Sequence, residues 1–170
     1  MTISTEIVAR AAQKVTEYDL IQTEALCDRI HAVQPHVFLT ALALAQDGVS
    51  MPKMDHVLHV LMVVHIAIEM QTSLPLRTIS RKDLQVAHKK HQDMLNYLEA
   101  EPDKRMWDLT CTTYPEPVLL AYVLDFLSEN GIATETNEDY LVATMSKVIP
   151  DVYVDALAST CRGDFLECFF

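Results

Sequence analysis

Between Asp55 and Met70 the chain carries apolar side chains in nearly every direction a helix can point: Val57, Leu58, Val60, Leu61, Met62, Val63, Val64, Ile66 and Ile68, at about 100° per residue. A helix with no polar face has to be covered on most sides. This segment is therefore expected at the centre of the molecule, with the rest of the chain wrapped around it. Its longest apolar run, Val57 to Ile68, is interrupted by His59 and His65. It also falls short of the about 20 residues that span a bilayer, which argues against membrane insertion.

Punctuation predicts helix nearly throughout. Ser4 or Thr5 can cap a first helix reaching about Val33, with a break near Thr16; Pro35 then opens a short apolar helix, Val37 to Ala45, closed by Asp47-Gly48. Ser50 and Pro52 start the central helix, which runs to about Gln71, and Ser80 with Asp83 resembles a capping box for a helix ending before Pro102. Pro117 begins another, stopped by Asn130-Gly131; Asn137 caps one to about Val148; Pro150 introduces the last, with Arg162-Gly163 near its end. No segment shows the apolar alternation of an exposed strand. The expected fold is all-α, a single domain over 1–170, built as a compact multi-helix bundle or a short α-solenoid of about seven helices.

Two stretches look alike, Pro35 to Gly48 and Pro117 to Gly131. Each has a proline start, an apolar helix, an Asp-Gly or Asn-Gly stop and an aliphatic residue, Val49 or Ile132, before a longer helix. One reading is an internal duplication with helical-hairpin halves 16–79 and 80–160. The plainer reading is that two apolar helices with standard caps resemble each other.

Composition narrows the function. Only Gly48, Gly131 and Gly163 are available, too few for the phosphate-cradling loops of nucleotide-binding motifs. Lys and Arg number 13 against 24 Asp and Glu, a formal net charge of −11, which disfavours nucleic acid and anionic lipid as partners. The charge is uneven. Acidic residues dominate from Glu116 onward, whereas basic ones gather between Arg77 and Arg105, so a basic helix is expected beside an acidic half. Met1 to Arg10 lacks a secretory pattern, and Cys27, Cys111, Cys161 and Cys168 show no C-x-x-C spacing. A cytoplasmic protein with reduced thiols is expected.

Five histidines fall on two consecutive helices, His56, His59 and His65 on the first and His88 and His91 on the second. If these pack as antiparallel neighbours, His65 lies level with His88 and His59 with His91. Imidazoles at helical spacing suit a transition metal such as Zn, Ni or Fe, and Glu69, one turn beyond His65, can add a carboxylate. His59, His65, Glu69, His88 and His91 are thus the candidate metal residues, although His56 and His65 point to opposite sides and no H-E-x-x-H element is present. The competing reading is that they are core histidines bonded internally, with no cofactor at all. Buried and neutral, they would titrate below about 6.5 and the fold would weaken as the pH drops through that value.

The remaining features are weaker. Asp28 and His31 suit local pairing at a helix end, and Cys161 before Arg162 suits a small core residue. Arg77, Arg81, Lys82, Lys89 and Lys90 form an anion patch diluted by Asp83 and Asp93. Met106-Trp107 and the aromatics from Tyr114 to Phe126 suit core packing. Phe165, Leu166, Phe169 and Phe170 are unusually apolar for their place in the chain and are the candidate partner interface, either folding back or inserting into a second subunit.

No nucleophile setting such as G-x-S-x-G is present, so an enzyme is the least supported class. The leading expectation is a non-enzymatic helical module that binds a protein partner or a second copy of itself. The alternative is a metal- or small-ligand-binding helical protein using the histidines of two adjacent helices.

Overall fold

A computed structural model describes residues 3–73, 75–100, 114–132 and 135–167, with only the backbone described at 98–100 and 161–167. Among them are seven helices and no strand: α1 (Thr5–Glu17), α2 (Leu20–Val33), α3 (Pro35–Ala43), α4 (Met51–Gln71), α5 (Arg81–Ala100), α6 (Pro117–Glu129) and α7 (Asn137–Glu167). The fold is all-α and compact, as expected.

The caps follow the sequence closely. Ser4 accepts from the Ile7 amide to start α1. The break expected near Thr16 falls at Tyr18-Asp19, where Asp19 and Gln22 form a reciprocal capping box for α2. Ser80 and Asp83 close the same kind of box on α5: the Ser80 amide and the Asp83 carboxylate lie 2.7 Å apart, and the Asp83 amide donates to Ser80 Oγ at 3.2 Å. The Arg77 guanidinium grips that carboxylate at 2.8 and 3.2 Å and is the main reason Asp83 stays ionised well below the usual carboxylate range.

The two look-alike stretches adopt one local structure. Gly48 and Gly131 sit at φ 89° and 67°, a conformation that a side chain would strain. Their amides bond to Ala45 and Ser128, and the amides of Val49 and Ile132 reach back to Leu44 and Leu127. Both are complete Schellman motifs, each with its pair of buried apolar residues. The likeness seen in sequence extends to the structure of the two helix stops.

α4 occupies the centre. Every residue from Val60 to Ile68 is buried, and α4 packs most broadly against α7 and α1, with further contact to α2, α3 and α6. It is long and apolar enough to cross a membrane, but 61% of its most apolar window is buried inside the molecule, the pattern of a core helix. α4 and α7 run parallel. At one end Lys53 Nζ bonds Glu138 at 3.0 Å and Asp139 at 2.6 Å, while at the other His65 meets Tyr153.

Two expectations fail. The helix expected to end near Val148 and restart at Pro150 is one continuous helix, α7, with Pro150 inside it. Proline removes a backbone bond and costs about 3 kcal/mol in a helix interior, but Val148, Ile149, Val152, Tyr153, Ala156 and Leu157 around it are all buried, and their packing outweighs the loss. Second, α4 and α5 are not packed neighbours. α7 makes broad contact with both, whereas α4 and α5 share almost none. The link between them, residues 72–80, can span about 25–30 Å when extended. It is pinned to α2 by Gln34, which donates to the Arg77 carbonyl at 3.0 Å and accepts from the Ile79 amide at 2.7 Å.

Candidate functional site

Because α7 packs against both α4 and α5, the histidines are distributed over different interfaces. His59 stacks on Phe126 of α6 with ring centroids 4.7 Å apart, and its Nε2 lies 3.0 Å from Tyr122 Oη. His56 meets the same Phe126 edge-on. Burial holds the His59 imidazole below its ordinary pKa and raises the Tyr122 phenol, so both stay neutral near pH 7.

His65 is buried against α7, its Nδ1 3.0 Å from Tyr153 Oη. Its Nε2 lies 3.2 Å from Glu69 Oε1, close but not aligned as a hydrogen bond, and Glu69 is paired with Arg29 at 3.0 Å. Desolvation lowers the His65 pKa even though Glu69 pulls the other way. We assign the single proton to Nε2, facing the carboxylate, so that Nδ1 accepts from the fully buried Tyr153 hydroxyl. Of the chain Arg29, Glu69, His65, Tyr153, the last three border a cleft of about 420 Å³. Its polar atoms are turned toward one another.

His91 is buried among groups of α5 and α7. Desolvation, with help from Lys147 and His88, pushes its pKa down to about 4. Nearby on α7, burial raises Asp151 to about 6 despite Lys90, and Tyr114 donates a hydrogen bond to its carboxylate. α5 lies against α7 here, with Lys90 of α5 close enough to act on Asp151, and Arg77 in the link before α5 acts on Asp155. His88, one turn before His91 on α5, is half-buried, and burial lowers its pKa too.

The structure therefore brings His65 and Glu69 together but leaves His59, His88 and His91 apart from them. Among the described residues, no group of three or more His, Cys, Asp or Glu side chains is arranged to hold a metal ion. The reason is topological: a helix apolar all round is enclosed by several neighbours, and the next helix in sequence need not be one of them. The side chains of Cys161, Phe165 and Leu166, and the whole of Phe169, Phe170, Met106, Trp107, Cys111 and Cys168, lie outside the described residues.

What the residues do build is a trough between α3 and α5. α3 contributes His36, Leu39, Thr40 and Ala43, one face at i, i+3, i+4 and i+7. α5 contributes Arg81, Leu84, Gln85, His88, Lys89 and Gln92, one stripe at helical spacing. The trough is open and about 650 Å³ in volume. Its floor is apolar, with Leu84 buried and Leu39 48% exposed. Two basic side chains and two histidines line it, and no acidic one does.

α3 explains why the trough is unusual. Over its nine residues it contains no Asp, Glu, Lys or Arg, a composition normally reserved for enclosed helices. Yet Leu39 and Leu42 stand 48% and 38% exposed. The basic cluster of the sequence is also resolved into parts. Arg77 is tied to Asp83, and Lys89 touches Asp93 at 3.3 Å only as an exposed pair, whereas Arg81 makes no ion pair with a described residue. Sequence reasoning saw Arg81 and Lys89 as a diluted solvent face and missed α3 beside them. The available signal was an uncharged nine-residue helix next to a chain otherwise rich in charge. The chain was compared with family models, curated proteins and solved structures, and none matches it.

Proposed function

We propose that this chain is a non-enzymatic helical module that binds another protein through the face formed by α3 and α5. One observation carries the reading: an uncharged surface helix leaves Leu39 half uncovered in an apolar-floored trough, with Leu42 38% exposed on the same helix. Apolar surface collected in one place and rimmed by polar side chains is what an interaction site presents to a partner. The histidines fit a structural role in this reading, since the imidazoles of His59, His65 and His91 are buried or half-buried and held neutral. A cytoplasmic setting suits it, with Cys27 a free thiol whose pKa burial raises further.

The test is photo-crosslinking in cells from a benzoylphenylalanine at Gln85, on the trough wall, compared with one at Lys14 on α1. The expected result is a discrete adduct from position 85 that disappears when Leu39→Glu is added. An adduct of twice 19.2 kDa identifies a second copy, and any other mass a different protein. Equal adducts from both positions, or adducts indifferent to Leu39→Glu, overturn the reading.

A further inference from the structure

We infer that the occupant of the α3–α5 trough is a short acidic amphipathic helix of a partner protein; this rests on the interaction reading above and names the chemistry of what binds. The first ground is shape. The lining stripes run over seven residue steps of α3 and eleven of α5, about 10 and 16 Å, or two to three helical turns. A trough between two helices, floored by Leu39, Ala43 and Leu84, accepts one apolar stripe at i, i+3 or i+4, and i+7.

The second ground is charge. Arg81 and Lys89 stand at the rim with His36 and His88, no carboxylate lines the trough, and Arg81 has no ion-pair partner among the described residues. The chain as a whole carries −11. An acidic segment is therefore repelled by most of this protein and attracted here, and such contrast directs orientation and encounter more than it adds affinity. A basic helix meets the opposite field. Nucleic acid would meet the same rim, but no Phe, Tyr or Trp lines the trough to stack a base, only the imidazoles of His36 and His88, and its floor is aliphatic. An apolar floor with a basic rim matches a leucine-and-glutamate helix better than a phosphate backbone.

The experiment uses the full chain and fluorescence anisotropy with three labelled probes. One is a helical peptide about three turns long with leucines on one face and glutamates elsewhere; the second has lysines in place of the glutamates; the third is a single-stranded oligothymidylate. The expected result is saturable binding of the glutamate peptide alone, weakened by added salt. Arg81→Glu with Lys89→Glu should weaken it about tenfold, and Leu39→Glu should abolish it while the circular dichroism melt stays unchanged. If both peptides bind alike, the trough is merely apolar and the inference fails. It fails equally if the lysine peptide or the oligonucleotide binds better, or if no probe binds. Dimerisation seen by light scattering and lost in Leu39→Glu overturns it in favour of a second copy. In each of these cases a Gln85 adduct in cells that depends on Leu39 still upholds the interaction reading, so the two can fail separately.

Discussion

α3 and α4 are the same kind of sequence with opposite fates. α3 has no Asp, Glu, Lys or Arg over nine residues, and α4 has only Lys53, Asp55 and Glu69 over 21. α4 is enclosed by α1, α2, α3, α6 and α7, so its apolar faces are covered within the chain. α3 rests on α2, α4 and α5 and turns Leu39 and Leu42 outward. The hydrophobic drive is the same for both, roughly 25 cal/mol for each Å² removed from water. What differs is the cover the chain itself supplies: α4 is closed in on its apolar faces, whereas α3 keeps Leu39 and Leu42 exposed, the surface that the proposed partner would cover.

The sharpest way to break this comparison is to damage the enclosed helix. Leu61 is wholly buried in α4, and Leu61→Ala removes its methyl groups and leaves a cavity, with an expected loss of about 3 kcal/mol in urea unfolding. A loss below about 1 kcal/mol would show that α4 is not the packed centre.

The histidines around α4 and α7 give the next effect. His59, His65, His88 and His91 all titrate lower in the fold than unfolded, chiefly through desolvation. Each therefore contributes stability above about pH 6.5 that is lost as the unfolded chain takes up its proton first. His91, pushed down to about 4, alone should cost roughly 2 kcal/mol between pH 7 and pH 5. Asp151 works the other way: raised to about 6, it binds a proton more readily in the fold and regains part of the loss over the same range. Urea midpoints should accordingly fall from pH 7 to pH 5 in the native protein and fall further in Asp151→Asn, while His91→Leu flattens the curve. A midpoint that rises on acidification would mean that these imidazoles are not held neutral by burial.

Local chemistry made much of this legible beforehand. Helix starts at Ser4, Pro35, Ser80 and Pro117 and stops at Gly48 and Gly131 are dictated by a few neighbouring atoms, and those positions agree with the structure. The central place of α4 followed from a pattern carried wholly within it. Whatever depended on spatial neighbours did not follow. Pro150 looked like a boundary because its local cost is visible in sequence and the buried flanks that outweigh it are not. His65 and His88 looked like partners because adjacency in sequence stood in for adjacency in space, whereas α7, arriving more than 40 residues after His91, packs against both helices. The trough escaped notice for the same reason, since its walls come from residues 36–43 and 81–92.

A smaller effect tests the base of one of those walls. Ser80→Ala removes one half of the capping box that starts α5, and the loss should be about 1 kcal/mol. The Asp83 carboxylate keeps its Arg77 partner, so the helix start should loosen without moving. Glutamate-peptide binding in the trough should weaken only slightly. Binding lost outright would mean that the first turn of α5, with Arg81 in it, is set by this cap rather than by packing of Leu84 and Ala87.

The smallest change in stability should carry the largest change in binding. Leu39 is nearly half exposed, so Leu39→Gln withdraws little buried area and should shift the urea midpoint by less than about 0.5 kcal/mol. If α3 is covered by a partner, the same substitution puts a polar amide at the centre of the joint surface and should reduce glutamate-peptide affinity at least tenfold, the behaviour of an apolar anchor. The opposite pairing, a large loss of stability with binding intact, would place Leu39 inside this protein's own core and make α3 a second α4. Stability and affinity measured on one variant thus separate a helix covered from within from one covered from outside.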